Sequence, residues 1–259
     1  MNSTHKAAHL SRLHIKGSPV VVFNAWDAGS AMALEQGGAA IIGTNIRLLA
    51  HAQGYADAHQ MPEGLYYEIT GRIAGSVGIP VSADLDSRCS DDDAYLACKV
   101  ERLLAQGIVG ITVGDRTGDG TGLCDIDLQV RRIAVIRQTA DEASIPLFIN
   151  ARTDLFVQHR GGAKSAICEA FDRASAYAFA GASGFFVPGL QDKPLIAQLC
   201  AGVDLPVDVL AMKRTPSHAE LADIGVARID YGTVLYIEAM RSLVRTFSTL
   251  RDGTRANPL

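Results

Sequence analysis

The sequence lacks several features that would assign it to a particular class of protein. Its five cysteines are scattered, without a CxxC pair, so neither a disulfide framework nor a cysteine metal site is indicated. No apolar run reaches the roughly 18 residues that a membrane-spanning helix needs. The first 19 residues, MNSTHKAAHLSRLHIKGSP, contain no apolar segment of the kind found in secretory signals. We therefore expect a soluble cytoplasmic protein with reduced thiols.

A strong excess of charge is also missing. The formal net charge is −4 and the isoelectric point is about 6.0. A basic surface is the usual signature of nucleic-acid or anionic-membrane binding, so we expect neither partner. A small anionic substrate is still compatible with this charge, because a few local basic groups are enough to bind it.

Eight short apolar runs alternate with stretches of helical spacing. The predicted strands are residues 20–23, 40–43, 80–83, 109–113, 146–151, 184–187, 207–210 and 228–231. Their nearly continuous hydrophobicity is typical of parallel strands buried on both faces. A doubly wound open sheet is the alternative, but the segment after the first strand, residues 24–30, has no phosphate-binding glycine motif. The 259 residues also match the roughly 250 of one (β/α)8 barrel. We therefore predict a single barrel domain over residues 1–259 that ends in a helix at 234–250.

Acidic and basic residues follow the predicted strands, where a (β/α)8 barrel forms its site. Asp84 and Asp86 emerge together after the third strand, and a divalent cation would relieve their repulsion. Arg152 follows the fifth strand and could bind a carboxylate with two parallel hydrogen bonds. Alternatively, the two aspartates cap a helix or pair with basic residues. Arg152 could likewise be neutralised by Asp84 or Asp115.

Several segments together resemble one known family. Residues 24–31 read NAWDAGSA, 54–57 read GYAD, 83–86 read ADLD, 150–154 read NARTD and 184–189 read GFFVPG. In order and spacing these resemble the strand-end motifs of the isocitrate lyase/phosphoenolpyruvate mutase superfamily, over roughly residues 19–235. The resemblance is to its short-chain branch, which includes carboxyphosphonate mutase and 2-methylisocitrate lyase-like proteins.

The resemblance implies a (β/α)8 barrel of the phosphoenolpyruvate mutase type. It also implies a homotetramer with the C-terminal helix exchanged between subunits, and a Mg²⁺ or Mn²⁺ cofactor. By position, Asp84 matches the direct metal ligand, while Asp57 and Asp86 match carboxylates that hold the metal's waters. Arg152 matches the arginine that orients a small carboxylate substrate. Members of the superfamily make or break C–C or P–C bonds through an enolate of a 2-oxo acid.

The chain departs from the family pattern at several positions. The glutamate that ends the fourth strand in the family is replaced by Gly114, which removes one acidic group of the metal shell. The substrate-binding serines after the second strand are replaced by Asn45, Ile46 and Arg47. The cysteine motif of the lyases is absent. The short glycine-rich loop at residues 116–123 ends at Cys124, its only thiol, and Cys124 is the candidate for the acid although no neighbouring residue would activate it.

Two more residues complete the predicted pocket. Trp26 would form part of its wall, or would only pack in the core. Arg88, like Arg47, is a basic residue beside the predicted site. The two arginines would favour a more highly charged acid, unless they point to solvent.

Three functions follow from these residues. The first is a Mg²⁺-assisted lyase or hydrolase that cleaves a C–C bond of a small 2-hydroxy or 2-oxo acid. The second is an enzyme with little or no metal dependence that catalyses enolisation, an aldol step or a decarboxylation. The third is a catalytically silent protein that binds a carboxylate. Retention of the aspartates and Arg152 favours the first, whereas Gly114 and the missing cysteine motif favour the other two.

Overall fold

The computed structural model describes residues 2–85, 92–117, 120–158 and 163–252. The strands are β1 Val20–Ala25, β2 Ile42–Thr44, β3 Val81–Leu85, β4 Gly110–Gly114, β5 Phe148–Arg152, β6 Gly184–Phe186, β7 Val207–Leu210 and β8 Arg228–Asp230. The helices are α1 Ser3–Leu13, α2 Ala28–Gln36, α3 Ile46–Ala52, α4 Glu63–Ser76, α5 Asp93–Ala105, α6 Ile126–Glu142, α7 Leu155–Gln158, α8 Ala163–Phe179, α9 Lys193–Gly202, α10 His218–Asp223 and α11 Val234–Arg251. A 3₁₀ turn spans Ala58–Gln60.

The strands form a closed barrel in sequence order, and every neighbouring pair is parallel. Closure comes from β1 and β8, where Val21 lies in register with Ile229. The predicted (β/α)8 barrel is therefore confirmed, and the open sheet is excluded. Because all strands run the same way, their carboxyl ends meet at one mouth of the barrel.

Side-chain caps fix where several helices begin. Asp27 Oδ1 accepts a hydrogen bond from Ser30 N at 2.6 Å and starts α2. Asp92 caps α5 in the same way through Ala94 N at 2.9 Å. These carboxylates satisfy amides that have no partner inside the helix. The helices thus start directly after the loops that carry polar residues around the mouth.

The barrel interior is unusually polar below the mouth. The Arg228 guanidinium lies 3.0 Å from Asp208 Oδ2 and 3.1 Å from Asp230 Oδ2. Asn150 Nδ2 donates to Asp208 at 2.8 Å, and Asn24 Nδ2 donates to Asp230 at 3.0 Å. All five side chains are buried. Buried charges are tolerated when they are paired, and here Arg228 pairs with both carboxylates while each carboxylate also accepts a hydrogen bond from an asparagine.

Glycines on neighbouring strands make room for these amides. A Cβ at Gly43 would collide with the Asn24 side-chain oxygen, and one at Gly184 would lie 2.9 Å from Asn150 Oδ1. The small residues are therefore required by the close approach of a polar side chain from the next strand.

Helix α1 at the barrel floor and helix α3 near the site were not predicted from the sequence. The polar N-terminal segment forms α1, because Ala7 and Leu10 lie on one face and are fully buried against the barrel floor with Phe148. Helix α3 begins directly after β2 and contains Ile46 and Arg47. Its N-cap is Asn45, whose side chain accepts from Leu48 N at 3.2 Å.

Helix α11 differs from the other long helices, because none of its residues is buried. Its apolar side chains nevertheless recur every three or four residues and share one stripe. The exposed members of that stripe are Ile237, Met240, Leu243, Val244, Phe247 and Leu250. Within the described parts of the chain, no helix is long and apolar enough to cross a lipid bilayer.

Candidate active site

A cavity of about 660 Å³ opens at the carboxyl ends of the strands. Its wall combines acidic, basic and amide side chains from β1, β3, β5 and β8 and from the loops after them. The polar residues that line it are Asn24, Asn45, Arg47, His51, Asp57, His59, Asp84, Thr112, Arg116, Thr117, Arg152, Asp154, Asp230, Tyr231 and Thr233. The cavity therefore has the chemical composition needed to bind a small, strongly polar ligand.

Asp84 is the carboxylate at the end of β3. Asn45 Nδ2 donates to its Oδ2 at 3.0 Å, and the Tyr66 hydroxyl donates to its backbone carbonyl. Burial raises the pKa of Asp84 to about 7, and the positive charge of Arg152 opposes this rise only in part. Asp84 is thus a carboxylate whose protein surroundings do not fully compensate its charge.

Arg152 and Arg116 share one carboxylate. Arg152 Nη2 and Nε lie 2.6 and 2.7 Å from Asp154 Oδ1, and Arg116 Nε lies 3.1 Å from Asp154 Oδ2. Although burial alone would lower it, the pKa of Arg152 is raised, because Asp154 and Asp84 stabilise its charged form. Asp154 holds the two guanidiniums together, and two cations face the cavity with only one carboxylate between them.

Asp115 lies next to Arg116 and Asp154 and has a structural role. Its Oδ1 accepts from Asp154 N at 3.0 Å, while Oδ2 accepts from Arg173 and from the Tyr177 hydroxyl, both at 3.1 Å. Asp115 is fully buried and is not among the cavity-lining residues. It therefore fixes the loops that carry Arg116 and Asp154, while Gly114 lines the cavity in the place where the family pattern has an acid.

The predicted residues Asn45, Ile46 and Arg47 all line the cavity. Arg47 is exposed, and the described residues provide no ion pair for it. Asp57 also lines the cavity, but its carboxylate caps the 3₁₀ turn through His59 N at 2.9 Å. Its side chain is 54% exposed, so water can reach the carboxylate from the cavity side.

Two predicted site residues are not among those that line the cavity. The Trp26 ring packs edge-on against Tyr236 at 5.4 Å between centroids. Trp26 therefore packs against a neighbouring side chain and does not form part of the cavity wall. The Cys124 thiol donates to the Arg116 carbonyl at 3.4 Å and accepts from Arg132 Nη1 at 3.2 Å. Cys124 is buried in this arrangement and supports the loop after β4. The predicted residues Asp86 and Arg88 lie outside the described residues.

The sequence analysis did not select Arg116, Asp154 or Asp230 as site residues. Arg116 and Asp154 follow predicted strands, but their proximity depends on which way each loop turns. Asp230 is detectable as a charge within a predicted buried strand. The structure places it at the cavity wall, held by Gly232 N at 2.7 Å and by Arg228.

The donor groups around Asp84 are compatible with a divalent cation that keeps most of its waters. No cluster of three or more His, Cys, Asp or Glu side chains arranged for a metal occurs among the described residues. Mg²⁺, however, needs only one or two carboxylates because it retains several waters. Asp84 Oδ1 has no protein hydrogen bond among the described residues and its charge is under-compensated, so the residues present fit a water-rich Mg²⁺ site.

The fold and the cavity together define the class of protein to which the chain belongs. The chain is a (β/α)8 barrel whose strand ends combine paired arginines with a deep aspartate, an arrangement suited to small carboxylates. Residues 10–251 match the phosphoenolpyruvate phosphomutase family, and the chain belongs to that family. The superfamily comprises mutases and lyases that act on small carboxylates.

Individual relatives span several activities. An uncharacterised protein of Mycobacterium tuberculosis (strain H37Rv) is 30% identical over 93% of this chain and 88% of its own length. The oxaloacetate decarboxylase of Pseudomonas savastanoi pv. phaseolicola is 27% identical over 72% of this chain and 63% of its own. A crystal structure from Burkholderia cenocepacia J2315, described as a candidate phosphonomutase, is 37% identical with a TM-score of 0.91. It covers 97% of this chain and all of that one.

Proposed function

We propose that this protein is a carbon–carbon lyase that cleaves a small 2-oxo or 2-hydroxy acid through an enolate intermediate. The observation that carries the proposal is the group of Arg152, Arg116 and Asp84 around one cavity. Guanidiniums bind carboxylates with directed hydrogen bonds and favour charge that develops on a neighbouring oxygen. A barrel mouth that offers two of them suits an acid whose reaction creates an oxyanion.

The arginines have separable roles in this proposal. Arg152 has Nε and Nη2 engaged by Asp154, which fixes the guanidinium plane and leaves Nη1 for the substrate. Arg116, held by the other oxygen of Asp154, binds a second acidic group of the substrate. Arg47 is exposed at the rim and attracts the anion. Such fixed donors need no reorganisation when charge develops during the reaction.

A divalent cation belongs to the proposal. Asp84 would hold Mg²⁺ or Mn²⁺ directly, while Asp57 and Asp86 would hold its waters. When bound, the ion would polarise the 2-oxo group and stabilise negative charge on its oxygen. Asn45 keeps the Asp84 carboxylate oriented through the bond to Oδ2, which leaves Oδ1 for the ion.

Decarboxylation is the second candidate for the same site. It is supported by the similarity to the oxaloacetate decarboxylase of Pseudomonas savastanoi, which is 27% identical over 193 residues. Decarboxylation of a 2-oxo diacid also breaks a C–C bond and leaves an enolate. The same arginines would therefore serve both reactions, and product analysis separates them.

The test is product release from a panel of acids. Oxaloacetate-like, malate-like and 2-methylisocitrate-like acids are incubated with the purified protein, with Mg²⁺ or with a chelator. Pyruvate, glyoxylate and carbon dioxide are quantified. We expect turnover of at least one acid, lost with the chelator and restored by Mg²⁺. Turnover that ignores the chelator removes the metal from the proposal, and saturable binding without turnover contradicts the lyase.

A further inference from the structure

A second cavity of about 440 Å³ adjoins the first at the carboxyl ends of β7 and β8. The two cavities share Ala211, Tyr231 and Val234 as lining residues. The Tyr231 ring is fixed from both sides, by stacking on Phe23 at 4.7 Å and by a 2.7 Å hydrogen bond between its hydroxyl and His218 Nε2. Tyr231 is thus an ordered boundary shared by two adjoining cavities.

The lining of the second cavity differs in chemistry from that of the first. Leu221 and Ile229 line its interior and are fully buried, and Met212 lines it with 45% of its surface exposed. Among the described residues no carboxylate lines it, and its basic residues are Lys213 and His218. Burying apolar ligand surface against such a wall is favourable, whereas the first cavity would leave an apolar group beside charged side chains.

The volume of the first cavity supports a ligand that is large enough to reach both cavities. Pockets of about 300–1,000 Å³ hold drug-sized ligands. At about 660 Å³ the first cavity already exceeds what a three-carbon acid requires. An acid held by Arg152 and Arg116 would therefore have room for a side chain that passes Tyr231.

We propose that the second cavity is a substrate subsite for the apolar side chain of a 2-oxo or 2-hydroxy acid. Its acid group occupies the first cavity. The inference rests on the proposed function, because Arg152 and Arg116 must bind the acidic groups of the substrate for its side chain to be directed past Tyr231. It assigns the substrate to the class of acids with an extended alkyl or aryl branch, rather than to pyruvate-sized acids.

The test measures dissociation constants by calorimetry in Mg²⁺ buffer for 2-oxo acids of increasing size. The series is pyruvate, 2-oxobutyrate, 2-oxopentanoate, 4-methyl-2-oxopentanoate and phenylpyruvate. Each methylene that enters the second cavity should tighten binding about threefold to fourfold. Met212→Trp narrows this cavity and should remove the gain with length, while pyruvate binding stays unchanged. Arg214→Trp, at a neighbouring position that lines neither cavity, is the matched control and should retain the gain.

The outcomes separate the two proposals. If pyruvate binds as tightly as the longest acids, or Met212→Trp keeps the gain, the subsite is refuted while the proposed function stands. If no acid of the series binds, the subsite is refuted, and the turnover panel alone decides the proposed function. Sedimentation of both variants tests another occupant. A change of oligomeric state in Met212→Trp alone would show that a second copy of the chain fills the cavity, which overturns the subsite.

Discussion

At the scale of single residues, the pairing around Asp154 determines how the two arginines behave. Arg152 makes two short contacts to one carboxylate oxygen, whereas Arg116 makes one contact to the other. A guanidinium held at two nitrogens has a fixed plane, and lysine cannot reproduce that geometry. Position 152 should therefore be more sensitive to loss of the planar group than position 116.

We expect Arg152→Lys to weaken carboxylate binding about 10- to 100-fold, because a charge-assisted and oriented hydrogen bond is lost. Arg116→Lys should weaken it less than Arg152→Lys, because one nitrogen suffices at that position. Calorimetric titration with the tightest-binding 2-oxo acid measures both effects. The exposed surface variant Arg72→Lys is the control and should bind like the parent. Equal losses at positions 116 and 152 would contradict separate roles.

The position of a side chain at the barrel mouth can be predicted from the sequence where one strand alone places it. Asp84 and Arg152 lie at the ends of β3 and β5, so the apolar runs were enough to bring them to the mouth. Asp115 shows the limit of this reasoning. It follows β4 directly, yet it turns into a buried network with Arg173 and Tyr177, which lie on a helix far along the chain. Contacts between distant segments determine that direction, and no local pattern contains them.

At the scale of elements, strand order and type could be predicted because buried parallel strands have continuous apolar runs. Helix α1 could not, because only Ala7 and Leu10 are buried on an otherwise polar segment. Helix α3 is too short to show a periodic pattern, and its start depends on the Asn45 cap. Elements that are defined by capping or by a small buried face are therefore the ones missing from the sequence prediction.

Helix α11 spans Val234–Arg251, and its apolar stripe is exposed. An exposed apolar stripe of this kind marks an interaction surface. We expect it to pack against neighbouring subunits of a homotetramer. Leu243→Asp combined with Phe247→Asp should produce monomers by introducing two charges into the contact, as measured by light scattering after size-exclusion chromatography.

The matched control changes the opposite face of the same helix. Ser242→Asp combined with Thr249→Asp adds the same charge about half a turn away and should leave the assembly intact. A parent protein that is monomeric at micromolar concentration would contradict the oligomer. Dissociation by both double variants would instead indicate a general effect of charge on α11.

At the scale of the whole molecule, the barrel is stabilised around a polar interior. Arg228 is buried between Asp208 and Asp230, and His14 lies on the floor of the barrel. The His14 ring stacks on Phe148 at 3.9 Å, and Nδ1 donates to the Leu10 carbonyl at 2.9 Å. Helix α1 thus seals the barrel with a neutral imidazole rather than with an aliphatic side chain.

This seal should make the stability of the barrel depend on pH. Burial, assisted by the nearby charge of Arg228, lowers the pKa of His14 to about 3. In the unfolded chain the imidazole takes up its proton near pH 6.5. Between these values the unfolded state binds one proton more than the folded state, so stability is lost as the pH falls. The slope from one such group is at most about 1.4 kcal/mol per pH unit.

The contribution of His14 can be isolated with a variant that does not titrate. His14→Gln should be less stable than the parent at pH 7, because the ring contact with Phe148 is lost. The difference between the two free energies of unfolding should shrink as the pH falls from 7 to 4.5, since only the parent loses the His14 contribution. Urea denaturation at several pH values measures it, and His5→Gln on the exposed part of α1 should follow the parent. A difference that stays constant with pH would show that His14 titrates alike in the folded and unfolded chain, which contradicts the prediction.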